Sequence, residues 1–163
     1  MSIENDVTGL SKKEYGEKYR DHAWEIYKLY VEMADKISER RQSANSFFLT
    51  LNSAIVALVG YVNLSQDTVP GTSSFFWLVA VSGMVLCYLW YRLIRSYKDI
   101  NSGKFKVIHV IEKQLPLRPY DAEWTALGKG EDSKLYLPFT HIEIYVPWVF
   151  FIVHLFVLIR SVL

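Results

Sequence analysis

Three stretches of the chain carry almost no charge, and charged residues fill what lies between them. Residues 43–64 read SANSFFLTLNSAIVALVGYVNL and residues 75–91 read FFWLVAVSGMVLCYLWY, without a single Asp, Glu, Lys or Arg. Residues 144–163, IYVPWVFFIVHLFVLIRSVL, contain only Arg160. A membrane-spanning helix needs about 20 mostly apolar residues. The pattern therefore predicts three spans, at 43–64, at 75–94 with the helix running past Arg92, and at 144–163. A soluble chain of 163 residues has little room to bury three such helices. The flanks agree: Phe75, Phe76 and Trp77 open the second span, Tyr88, Trp90 and Tyr91 close it, and Tyr145 and Trp148 open the third. Rings at both ends of a span form the belts expected at headgroup level. The first apolar run begins after residue 40 and is not a cleavable signal peptide.

The polar segments predict further helices. Ser11 and Glu14 have capping-box spacing, and no proline precedes position 70, so one helix is expected from Ser11 into the first span. Tyr19, Ala23, Ile26, Tyr30, Met33 and Ile37 step by four and three, a heptad stripe. It is expected to pack on another part of the protein or on a neighbouring subunit. Glu14/Lys18 and Glu32/Lys36 are favourable i,i+4 pairs beside it. Further on, Asn101 is expected to cap a helix reaching about Gln114, ended by Pro116 and Pro119. A short helix over 121–127 stops before Gly128, GKGEDS forms a turn, and 135–139 is extended. Thr140 to Glu143 repeats the capping-box pattern ahead of the last helix, where Pro147 sets a bend or the true start.

Charge then orients the spans. The chain holds 18 Lys+Arg against 17 Asp+Glu, a formal net +1, with 51% hydrophobic residues. The segment before the first span holds eight of the basic residues and 92–134 holds nine, which leaves Arg160 alone. The loop 65–74 holds none. Lys and Arg accumulate on the cytoplasmic side. The expected layout is a cytoplasmic N-terminal helix (1–42), first span (43–64), external loop (65–74), second span (75–94), cytoplasmic helical region (95–143) and third span (144–163), with the C-terminus outside. The net charge gives no field to hold nucleic acid, and a single cysteine leaves neither a disulfide framework nor a multi-cysteine zinc site.

The sequence offers little chemistry. GKGEDS lacks the frame of a phosphate-cradling loop. No two of His22, His109, His141 and His154 have metal-site helical spacing, and no cofactor is expected. Serines inside the spans have no adjacent base, so an enzyme is not expected. The intramembrane polar residues are more informative. A helix turns about 100° per residue, which puts Asn45, Asn52 and Asn63 on one edge of the first span. Either they bond neighbouring helices, since unpartnered amides in lipid are unfavourable, or they line a pore. His154, in the third span, is either a pH-responsive switch or a neutral imidazole bonded between helices. Ser82 and Gly83, with Cys87 four residues on, form a small face for close helix packing.

Several phrases resemble a known family. YKLYVEMADKISERRQSANSFFLTLNSAIVALVGY, WYRLIRSYKDINSGKFKVIHVIEKQLP, PYDAEW and KLYLPFTHIEIYVPW are similar to the bacterial RipA-family octameric membrane proteins. More distantly, the layout resembles the SLATT proteins, two-span effectors of bacterial conflict systems, from which the third span departs. The resemblance implies a bacterial inner-membrane homo-oligomer, an octamer. It also implies, from the SLATT likeness, membrane permeabilisation after a cytoplasmic trigger, and it carries no catalytic residues. The overall expectation is an all-α integral membrane protein whose partners are its own copies, membrane lipids and an unidentified cytoplasmic partner or ligand. Its expected role is a channel or pore-like assembly that acts as a stress or defence effector; the alternative is a scaffold ring that organises lipid or recruits a cytoplasmic partner.

Overall fold

A computed structural model describes residues 3–64, 72–132, 134–136, 138 and 142–162, with side chains described for all of these except Asn5 and 72–75. Among them the regular structure is helical: α1 (Ile3–Val7), α2 (Lys12–Tyr15), α3 (Tyr19–Leu64), α4 (Thr72–Glu112), α5 (Pro119–Ala126), a 3-10 turn at Gly128–Gly130, and α6 (Val146–Val162). The loop predicted over 65–74 and the Thr140–His141 half of the second capping box lie largely outside the described residues.

Two helices, α3 and α4, are long and apolar enough to cross a membrane. With no proline before position 70, α3 runs unbroken from polar sequence into apolar sequence over 46 residues. The α6 helix has 17 residues, about 25 Å at 1.5 Å per residue, and begins next to Pro147, whose fixed φ suits a first turn. Three expectations are corrected. The Ser11 capping box forms, with the Glu14 amide donating to Ser11 Oγ at 3.3 Å and the Ser11 amide to Glu14 Oε2 at 3.0 Å. Its helix nevertheless stops after four residues, because Gly16 sits at φ +91° and caps it. That region is glycine territory, and the break separates Glu14 from Lys18. Next, no helix starts at Asn101: α4 passes through it to Glu112, since nothing between 92 and 112 removes a backbone donor. Finally, Phe76 and Trp90 are buried, so they belong to the packing of their helix and not to an interfacial belt, whereas Trp77, Tyr88, Tyr145 and Trp148 are exposed.

The chain divides into two compact units. The first comprises Met1–Arg40 and Tyr97–Pro138, the second Arg41–Ser96 and Phe139–Leu163. In the first, Tyr27, Ala34, Ile108 and Ile111 form the core, with Val7, Tyr30, Val31, Phe105 and Tyr120 packed against it. Hydrophobic burial organises this unit, at about 1.5–3 kcal/mol for each large apolar side chain taken out of water. Lys104 adds a clamp, its ammonium 5.1 Å from the Tyr30 ring centroid. The second unit packs the apolar lengths of α3 and α4 with α6. Close packing and interhelical hydrogen bonds hold these helices together. Ala80, Ile94 and Trp90 are its buried centre, and a half-buried Arg41–Glu143 pair at 3.6 Å ties the sequence ahead of α6 to α3.

Candidate functional site

Polar side chains buried among the apolar helices define the first site. Asn52 has no exposure, and its Nδ2 donates to the Phe48 carbonyl one turn earlier at 2.9 Å. Its Oδ1 accepts from the Cys87 thiol at 3.3 Å and lies 3.1 Å from His154 Nε2. A carbonyl oxygen only accepts, so Nε2 carries the proton in this contact. One amide thus joins α3, α4 and α6. The thiol and the imidazole share the amide oxygen, so the trio holds the three helices together. A Cβ built on Gly83 would stand 2.5 Å from His154 ring atoms, so only glycine admits the imidazole at this depth.

The other predicted residues of this unit fall in different surroundings. Asn45 Oδ1 accepts from the Trp90 indole at 2.9 Å, and that indole stacks on Phe48 at 5.8 Å between centroids. Asn63 is exposed, lining with Arg160 and Ser161 a cavity of about 190 Å³. Gly83 and Cys87 are buried, while Ser82 is exposed. The asparagine edge thus meets protein along α3 at two of its three positions. A different line of α3 is left open: Ser46, Thr50, Ser53, Ala57 and Gly60, spaced by four and three, are all exposed. Aside from Ser82, the exposed described side chains of α4 from Trp77 to Leu89 are large and apolar.

A second polar centre lies in the other unit. The Glu112 carboxylate is wholly buried at the end of α4. Its Oε1 accepts from the Tyr27 hydroxyl at 2.9 Å and the Tyr120 amide at 3.0 Å, and its Oε2 accepts from the Asp121 amide at 3.0 Å. Tyr120 and Asp121 are in the first turn of α5, whose N-cap is Arg118 and makes no side-chain cap. Glu112 is therefore a cap supplied from another helix, and its negative charge suits a helix N-terminus. His109 Nδ1 stands 3.7 Å from Glu112 Oε2 and 3.9 Å from Asp121 Oδ1. Sequence reasoning passed over this residue. The available signal was a helix opening on Pro119 with no Ser, Thr, Asp or Asn before it, which leaves its first amides wanting an acceptor.

Burial, followed by the hydrogen bond and charge of Glu112, pushes the Tyr27 hydroxyl well above the ordinary tyrosine range. A raised pKa in the folded state means that the folded chain holds its proton longer. The contribution is complete below the unfolded tyrosine value of about 10 and is lost as pH rises toward the folded value. Alkaline titration followed by helical circular dichroism should show α3–α5 destabilised from about pH 10 upward, and Tyr27→Phe should flatten that slope. An unchanged slope would remove Tyr27 as its cause.

Of the predicted heptad stripe, Tyr19, Ala23, Tyr30 and Ile37 are half-buried, and Ile26 and Met33 are exposed. Tyr19, Ala23, Ile26 and Tyr30 also line a cavity of about 520 Å³, together with Val107 and Ile111. Among the described residues no group of three His, Cys, Asp or Glu side chains is placed to hold a metal ion.

Two helices long and apolar enough to cross a membrane, among described residues whose regular structure is helical, fit an all-helical membrane protein. The chain belongs to the octameric membrane protein family (8xMP), whose model matches residues 24–163. It is accordingly a homo-oligomeric membrane protein. No curated protein and no solved structure matches it.

Proposed function

We propose that the protein forms a non-enzymatic, channel-like octameric ring in a bacterial inner membrane. Each subunit crosses three times, through α3, α4 and α6, with its N-terminus in the cytoplasm and its C-terminus in the periplasm. The observation that carries this reading is the open line Ser46, Thr50, Ser53, Ala57 and Gly60 on α3. Small and hydroxyl-bearing residues tolerate water, and in a ring this line borders the central path. The asparagines then serve a different purpose: Asn45 and Asn52 hold the subunit together so that α3 presents that line. On this reading the likeness to RipA and SLATT proteins extends to a stress or defence role, in which opening the path depolarises the cell.

The reading is tested by ion flux from liposomes containing the purified oligomer. Wild-type protein should release a trapped ion at least tenfold faster than empty vesicles, and Ser53→Trp should cut that release severalfold while leaving the octamer intact. A second reading rests on the same line, since Gly, Ala and Ser are also what close helix–helix packing needs. In that case the line is sealed between subunits and the ring is a scaffold. Absence of flux under every pH and ligand tried, with Ser53→Trp dissociating the ring, would decide for the scaffold.

A further inference from the structure

Between Tyr19 and Arg40, α3 has three distinct arcs. Tyr27, Val31 and Ala34 face the core of their own unit. Glu25, Lys28, Glu32, Asp35, Lys36 and Glu39 form an exposed polar arc, on which Lys28 pairs with Glu25 and Lys36 with Glu32. The third arc carries large apolar side chains between exposed His22 and Arg40, with the Lys104 ammonium 3.9 Å from Met33 Sδ. Ile26, Leu29 and Met33 lie at i, i+3 and i+7 and are 47%, 53% and 39% exposed. That spacing puts three large apolar side chains in one line, the arrangement by which a helix anchors on a partner. The predicted heptad stripe runs along the border between this line and the buried arc, which explains why some of its members are covered and others are not.

We infer that the Ile26–Leu29–Met33 line is a contact between neighbouring copies of the chain. The occupant follows from family membership: the chain belongs to an octameric family, and the match over residues 24–163 includes all three residues. A closed ring is built from head-to-tail contacts, in which one surface of each copy meets a different surface of the next. Each subunit must therefore carry an apolar surface that it does not bury itself, and α3 exposes one. The inference rests on the octamer and not on conduction, so a ring that passes no ions leaves it standing.

The test places a photo-crosslinker in the full-length protein in membranes. With 4-benzoylphenylalanine in place of Leu29, irradiation should give a ladder of covalent multimers of the chain. The same group in place of Asp35, on the polar arc, should leave it monomeric on a denaturing gel. As an independent measurement, Leu29→Glu combined with Met33→Glu should lower the octamer fraction in detergent at least tenfold by mass photometry, with helix content retained. Crosslinks from position 29 confined to lipid, to an unrelated protein or to the same chain would overturn the inference, as would an octamer that survives both glutamates.

Discussion

Gly83→Val is expected to dismantle the packing of the second unit. The added Cβ alone would stand 2.5–2.6 Å from three atoms of the His154 ring, and His154 is 1% exposed. Overpacking of this kind costs about 1–3 kcal/mol, and a branched side chain should reach the upper end. The loss should be read as a lower melting temperature of the detergent-solubilised protein and a reduced octamer peak. The diagnostic result is suppression: adding His154→Ala removes the obstructing ring, so the double variant should recover more than half of the loss. Coupling of this size between two residues is expected only where they touch. If the double variant is worse than Gly83→Val alone, the close approach is not what makes glycine necessary.

Glu112→Ala should have a comparable effect in the other unit. It leaves the Tyr27 hydroxyl and the Tyr120 and Asp121 amides without the carboxylate they share. The buried Tyr27 hydroxyl left unpaired costs about 1–3 kcal/mol and each of the two part-buried amides about 1 kcal/mol, so the total is roughly 3–5 kcal/mol. Glu112→Gln keeps the shape and one acceptor oxygen, loses the charge that strengthens these bonds, and should cost about half as much. Hydrogen exchange is the direct measurement. In Glu112→Ala the amides of α5 should lose protection, while those of α3 between 45 and 60 keep theirs. Wild-type protection of α5 in Glu112→Ala would mean that the helix does not depend on its distant cap.

Much of the fold was legible along the chain, for reasons that differ from element to element. The continuity of α3 was readable from a stretch without proline. The short helix of α5 and its stop before Gly128 followed from the same local vocabulary, as did the start of α6 beside Pro147. Gly16 breaks a helix that its neighbours favour, because one residue at positive φ outweighs a good cap five residues earlier. By residue type Asn101 suits a helix cap and Trp90 a belt aromatic. The first is an interior position of a long helix, and the second donates its indole N–H to Asn45 across the bundle.

The sequence by itself determined that helices of spanning length exist and where they lie, because exclusion of charge over some twenty positions is a property of neighbours in the chain. It also determined that amides and an imidazole lie within apolar stretches and need partners. Only the tertiary structure decided who those partners are. Asn52 meets Cys87 across 35 residues and His154 across 102, and Tyr27 meets Glu112 across 85. Hydropathy adds up along the chain, whereas a hydrogen bond is satisfied by whichever group the packing brings within about 3 Å. For that reason the one asparagine edge visible in the sequence became an internal seam at Asn45 and Asn52, and Ser46, Thr50, Ser53, Ala57 and Gly60 form one of the lines that α3 leaves open.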